Sequence, residues 1–194
     1  AETSWARRAR IELLAIYQQE HEWQKAIEIA NLLRDESHSY QHEIAQFNCE
    51  LAASHLVRNH PAEAKEYLEL ALKQHRKCAR ASLMLGEMAF AAGDIDTALE
   101  RWLQIEAQDV LYLALAARHL LKAYDARGQL ADGLNLLMRF VERYPELDVI
   151  DLVYEQLISS QGIEPAYDFA RERLREMPSM SGLKKLLEAY LQVA

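Results

Sequence analysis

Breaks are scarce in this sequence: 194 residues contain only six glycines and four prolines. A β-sandwich or barrel turns every 8–12 residues or so and needs more turn residues than that. No apolar run approaches the ~18–20 residues of a membrane span. No signal peptide is visible, and the chain opens Ala1-Glu2-Thr3-Ser4 without a methionine, so it reads as a fragment. Positive charge is short as well. Twenty-two Lys and Arg face thirty Asp and Glu, a formal charge of −8. A nucleic-acid backbone calls for a basic face, so that partner class is disfavoured. The two cysteines, Cys49 and Cys78, fit a reducing compartment without proving one. What is abundant is apolar helix former: about half the chain is hydrophobic, and Leu and Ala, both strong helix formers, dominate it.

Those helix formers recur at a fixed period. Setting Leu51-Ala52 on Leu85-Gly86 places Asn59 on Gly93, Ala64 on Ala98, Leu68 on Trp102 and Ala71 on Ile105, each pair 34 residues apart. That is the length of a tetratricopeptide helix pair. The clearest copy is 79–112, with Gly86 in the first helix, Gly93-Asp94 at the turn, and Ala98 and Trp102 in the second. Gly86 and Ala98 are small where two helices approach closely, and Gly93 takes positive φ at little cost. Further copies fall at 7–40 (Leu13, Tyr17, Trp23, Ala26, Ala30, Leu33), 45–78, 114–146 (Leu120, Tyr124, Gly128, Gly133, Phe140, Pro145) and 147–179 (Val153, Leu157, Gly162, Ala166, Ala170, Pro178). Pro145 and Pro178 are expected to end second helices. Ala26 to Ala64 is 38, and the extra residues fall in the polar run 35–40, read as a loop. Residues 182–193 carry Leu183, Leu186, Leu187, Tyr190 and Leu191 on one helix face and read as a cap on the last repeat. The predicted fold is all-α: one array, 1–194, a right-handed superhelix of about five tetratricopeptide-type helix pairs plus a C-terminal capping helix. The competing architecture is a non-repeating helical bundle.

Signatures of catalysis are few. His42-Glu43 and His21-Glu22 begin like a zinc-protease HExxH, but Gln46 and Lys25 stand where the second histidine belongs. His38 and His42, four apart, make a poor zinc site alone and read as solvated loop residues. Cys49 and Cys78 lack CxxC spacing and read as small packed apolar residues. No Gly-rich phosphate loop, GxSxG elbow or dinucleotide fingerprint occurs. Asp148, Asp151 and Glu155 can share a helix face, but without a nucleophile or cofactor signal they suit a solvated face or a basic partner better than acid–base catalysis. No catalytic residue and no metal site is assigned.

Stacked helix pairs present a concave surface lined by the first helix of each pair. Its outward residues are the second, fifth, ninth and twelfth of each repeat: Gln46, Cys49, Ala53 and Leu56; Arg80, Leu83, Glu87 and Phe90; Leu115, Arg118, Lys122 and Asp125; Asp148, Asp151, Glu155 and Ile158. This predicts a protein-binding groove that is apolar around Leu56, Leu83 and Phe90, basic around Arg118 and Lys122, and acidic from Asp148 to Glu155, suited to a peptide or helix with apolar anchors. Leu83 and Phe90 can equally be inter-repeat core, because buried and groove-facing positions adjoin on a helix. No repeat carries Lys and Asn at its fifth and ninth positions, the pair with which chaperone-tail receptors hold a C-terminal carboxylate.

Three runs have a more specific likeness. Glu22-Trp23-Gln24-Lys25-Ala26-Ile27, Glu43-Ile44-Ala45-Gln46-Phe47-Asn48-Cys49-Glu50-Leu51-Ala52 and Ala79-Arg80-Ala81-Ser82-Leu83-Met84-Leu85-Gly86 resemble the lipopolysaccharide assembly protein B family of Gram-negative bacteria. Trp23 and the Cys49-Glu50-Leu51 run are not part of the generic repeat, and the likeness weakens after about residue 110. The resemblance implies a protein with an N-terminal membrane anchor, cytoplasmic repeats and a C-terminal rubredoxin-like metal module with paired CxxC motifs. It implies a role in promoting degradation of the lipid A pathway deacetylase by the membrane protease FtsH, and in gathering lipopolysaccharide assembly proteins at the inner membrane. Neither anchor nor CxxC pairs occur in these residues, so the chain corresponds to the repeat portion, expected to be soluble by itself, with no cofactor of its own. No functional residue of the family transfers by position.

The expected function is therefore a non-enzymatic scaffold or adaptor with protein partners, among them FtsH, the deacetylase and lipopolysaccharide assembly proteins, on the cytoplasmic face of the inner membrane. Two alternatives stay open. One is the repeat arm of a larger enzyme such as a glycosyltransferase; the other is a generic scaffold binding through its convex face or as a homo-oligomer.

Overall fold

The structure, a computed structural model, describes residues 4–33, 40–144 and 149–176, together with Lys184, Leu187, Glu188, Tyr190 and Leu191. No strand occurs among the described residues. Helices come in pairs: α1 (Ser4–Gln19) with α2 (Trp23–Leu33), α3 (Gln41–Val57) with α4 (Pro61–Gln74), and α5 (Ala79–Ala91) with α6 (Ile95–Leu103). A short helix α7 (Ile105–Gln108) and a 3-10 turn (Val110–Tyr112) follow. Two more pairs complete the order, α8 (Leu113–Ala126) with α9 (Leu130–Arg143) and α10 (Ile150–Gln161) with α11 (Ile163–Glu176). The chain divides into two compact units, Ala1–Tyr112 and Leu113–Ala194.

Every turn inside a pair uses one residue of positive φ: His21 (59°), Asn59 (61°), Gly93 (82°), Gly128 (71°) and Gly162 (94°). Asn59 does at its turn what glycine does at the next, since asparagine is among the few L-residues that tolerate this region. Helix starts are marked locally too. Pro61 takes the first position of α4, where its missing N–H costs nothing. Asp94 caps α6, its carboxylate accepting from Thr97 N–H at 3.1 Å.

The small residues of the repeat occupy equivalent places. Ala26, Ala64, Ala98, Gly133 and Ala166 are each the fourth residue of a second helix, and all five are buried. One turn later Ala30, Leu68, Trp102, Leu137 and Ala170 fill the space between helices. In the first unit the core is shared across pairs. Leu14, Ala26, Ala30 and Leu33 pack with Ile44 and Phe47 of α3. Cys49 and Ala52 of α3, Ala64, Leu68 and Ala71 of α4, and Ala81 and Leu85 of α5 form the next cluster. A pair that completes its core only with its neighbour's first helix is the defining economy of a repeat array, and it sets this chain apart from a free bundle. In the second unit Leu120, Leu137, Phe140 and Val141 are buried in one pair, and Val153, Leu157, Ala166 and Phe169 in the next.

The predicted loop at 35–40 lies outside the described residues except for Tyr40, which enters α3 in the left-handed region (φ 49°). Pro145 and Pro178 are outside as well; α9 ends at Arg143, just before the first of them. Of the predicted terminal helix, the described residues Lys184, Leu187, Glu188, Tyr190 and Leu191 are helical. Leu187, Tyr190 and Leu191 are exposed, and Tyr190 meets the Tyr167 ring at 6.4 Å; Leu183 and Leu186 are not described.

Candidate interaction surface

The first helices carry the predicted groove residues, and the structure sorts them by how firmly they are held. On α5, Arg80 is half-buried and its guanidinium donates to Glu50 of α3 at 2.6 Å. The carboxylate and partial burial fix a long side chain that would otherwise be mobile, and Glu50 raises the Arg80 pKa further above its ordinary value. Leu83 and Phe90 are half-buried rather than free. The Leu83 carbonyl accepts from Trp102 Nε1 at 3.1 Å, and the Phe90 ring sits 5.8 Å from the Trp102 indole. Both therefore serve the α5–α6 packing while keeping part of their surface open. Glu87 is exposed between them. On α3, Gln46 and Leu56 are half-buried, and Gln46 Nε2 approaches Cys78 Sγ at 3.9 Å. Cys49, which the repeat geometry turns outward, is fully buried.

In the second unit Arg118, Lys122 and Asp125 are exposed along α8, with Leu115 beside them 55% exposed. On α10 Glu155 is exposed and Asp151 half-buried; Asp148 lies outside the described residues. Within the second unit the predicted positions on α8 and α10 are mostly charged, with Leu115 and Ile158 the exposed apolar side chains among them, an arrangement that suits recognition of a partner better than enclosure of a substrate.

Other features fall elsewhere. A cleft of about 360 Å³ opens where α4, α5 and α6 meet, lined by Lys65, Glu69, Met88, Ala89, Asp94 and Arg101 among others, and none of the predicted groove residues lines it. Arg101 closes one side by pairing with Glu69 at 3.3 Å. His42 is not in a loop; it is the second residue of α3, exposed, with its ring 5.3 Å from His75. Burial, and then His42, holds His75 below the ordinary histidine range. His38 is not described. Among the described residues no three His, Cys, Asp or Glu side chains gather as a metal-binding group, and no helix is long and apolar enough to cross a membrane.

The spacing of the sequence hid one juxtaposition. Cys49 and Cys78, 29 residues apart, bring their Sγ atoms to 3.7 Å in the core. Cys78 stands at the N-cap of α5. The Cys49 thiol beside it, the backbone N–H groups of Ala81 and Arg80, and the Arg80 charge all favour its thiolate, against burial, and bring it down to about 7. Since Cys78 already accepts from the helix end, Cys49 is the donor of the pair, and that bond together with burial pushes the Cys49 thiol far up. The available signal was positional: Cys49 sits one turn into one repeat and Cys78 closes it, beside the start of the next.

No family model matches the chain. Over all 194 residues it is 30% identical to lipopolysaccharide assembly protein B of Escherichia coli K12, covering 50% of that protein. It is 29% identical over 180 residues to the protein of the same name from Haemophilus influenzae, covering 92% of this chain and 45% of that one. The chain thus spans about half the length of the curated relatives it matches, and the likeness carried by its first repeats extends along its whole length. Among solved structures, MamA protein superposes with a TM-score of 0.50 at 17% identity, over 94% of this chain and 91% of that one. PilF of Pseudomonas aeruginosa gives 0.50 at 18% identity, over 96% and 90%. At such identities the two establish the fold alone.

Proposed function

We propose that this chain is a non-enzymatic protein-interaction scaffold, the repeat portion of an adaptor that works in lipopolysaccharide assembly. The observation that carries the reading is the recurring helix pair, closed by a small residue at the fourth place of each second helix. It leaves charged side chains such as Glu87, Arg118, Lys122 and Glu155 standing on first helices. The relatives' name gives that scaffold its setting. In its finer form the proposal is that the whole protein presents the lipid A pathway deacetylase to the membrane protease FtsH. It does so on the cytoplasmic side of the inner membrane, and it gathers lipopolysaccharide assembly proteins there. The client is held by Gln46, Leu56, Arg80, Leu83, Glu87 and Phe90 in the first unit, and by Arg118, Lys122, Asp125, Asp148, Asp151 and Glu155 in the second.

Two experiments test this at separate levels. Affinity capture with the full-length protein from Gram-negative cells recovers the protease and the deacetylase if the finer reading holds, and recovery of neither sinks it. Reversing charge at Arg118 and Lys122 together lowers client retention by roughly ten-fold or more, as expected for groups whose rim charges select partners. Unchanged retention with an unchanged melting curve removes α8 from the binding surface.

A further inference from the structure

We infer that Cys49 and Cys78 form a dithiol site that a hydroperoxide converts into an intrachain disulfide, tying α3 to the start of α5. The inference is independent of the scaffold reading and rests on where the two sulfurs sit. They lie 3.7 Å apart, and both are buried. A disulfide S–S bond is about 2.05 Å, so closure of about 1.7 Å is required. Each sulfur faces a different environment. Around Cys49 the core cluster is apolar, with Ala45, Ala52, Leu68, Ala71 and Ala81. Cys78 lies at the polar end of the same cluster, at the α5 N-terminus, with the Gln46 amide at 3.9 Å. Gln46 and Arg80, both half-buried, are its polar neighbours, through the Gln46 amide and the Arg80 charge and backbone N–H.

The chemistry follows from that asymmetry. Cys78 is the thiol whose ionisation falls near neutrality, at about 7, and the thiolate is the nucleophile. Its sulfur attacks one oxygen of hydrogen peroxide, the O–O bond breaks, and the departing hydroxide takes up a proton and leaves as water. Cys78 is then a sulfenic acid, oxidised by two electrons. Oxidation removes the Cys78 thiolate whose hydrogen bond is the first cause holding the Cys49 proton in place, and the Cys49 sulfur then attacks the Cys78 sulfur; the S–S bond forms and the S–O bond breaks. The Cys49 proton joins the released hydroxyl as a second water. Two thiols and one peroxide give one disulfide and two waters. Cys78 is the attacking residue and Cys49 the resolving one.

The chain is exposed to hydrogen peroxide in native buffer, quenched by alkylation under denaturing conditions, and read by intact mass and peptide mapping. The expected product has lost about 2 Da, takes up no alkylating agent, links the Cys49 peptide to the Cys78 peptide, and returns to two alkylated thiols after reduction. Its yield does not depend on protein concentration. Two thiols still alkylated after a dose that fully oxidises free cysteine would overturn the proposal, as would a link between two chains or a reaction that proceeds only in denaturant. The order of attack has its own readout. In Cys49→Ala a dimedone probe traps Cys78 sulfenic acid at least ten-fold above the unmutated chain, and in Cys78→Ala it traps nothing at Cys49. The reverse labelling pattern, or a trap in neither variant, overturns the assignment of roles.

Discussion

In the α5–α6 pair of the first unit a close contact is opened by a glycine on the first helix, Gly86, and filled by a ring from the second, Trp102. In the second unit the glycine is on the second helix, Gly133, and the ring, Tyr124, on the first. A Cβ on Gly86 would fall 2.6 Å from two atoms of the Trp102 indole, and a Cβ on Gly133 would lie 2.8 Å from Tyr124 Cβ. The pair α3–α4 uses neither device, placing Ala52 and Leu68, both fully buried, at the places of Gly86 and Trp102. What repeats along this chain is the volume shared by two facing positions, not the residue at either. That is why Gly133 can stand where the other pairs have alanine.

The sharpest break of this comparison is at Trp102, which is 1% exposed and donates to the Leu83 carbonyl. Trp102→Ala should cost ~3–5 kcal/mol in urea denaturation, the usual loss for a large buried aromatic. Gly86→Ala comes next. The added methyl meets an indole held by its own hydrogen bond, so overpacking of ~1–3 kcal/mol is expected. The pairing itself is tested by Gly86→Ala combined with Trp102→Leu, which copies Ala52 and Leu68. The double variant should be less destabilised than the sum of the singles by at least ~0.5 kcal/mol, the coupling of residues in contact. Strict additivity would mean the two sites do not share one space. Gly133→Ala should be milder than Gly86→Ala. Only one atom of Tyr124 comes closer than 3.0 Å there, against three of the Trp102 indole at Gly86.

Much of this was legible beforehand, because period and small residues are local signals. The 34-residue register placed Ala64 and Ala98, the turn at Asn59 and Gly93, and Gly86 at a close crossing. The groove is less legible. A helix position faces outward or inward according to what its neighbour brings, and the sequence does not print the neighbour. Arg80 was assigned outward without Glu50, which holds it. Phe90 reads from the sequence as groove anchor or inter-repeat core, and Trp102, on which it leans, is what makes it partly both. Cys49 was given a groove position by geometry and a core one by composition, and only the contact with Cys78 decides for the core. Asp148 lies outside the described residues, so the acidic end of the predicted groove is seen only through Asp151 and Glu155.

Two turns that join a pair, one from each unit, also differ, more gently, although His60 before α4 makes no side-chain cap bond either. After Gly93 the next helix is capped by Asp94, whose side chain accepts from Thr97 N–H. After Gly128 the corresponding cap is Gln129, which makes no side-chain cap bond. The hydrogen bond to Thr97 favours the ionised form of Asp94 and lowers its pKa below the ordinary 3.8. A carboxyl whose folded pKa is depressed adds stability that is present above its unfolded value and lost as pH falls through the folded one. Asp94→Ala should therefore lower the melting temperature slightly at pH 7, and the gap to the unmutated chain should narrow once the pH drops below about 4. Gln129→Asp should move the melting temperature the other way at pH 7, because it supplies α9 with the acceptor its first turn lacks. A gap that stays constant from neutral to acid pH would show that Asp94 acts through its shape rather than its charge, and the contrast between the two turns would lose its electrostatic explanation.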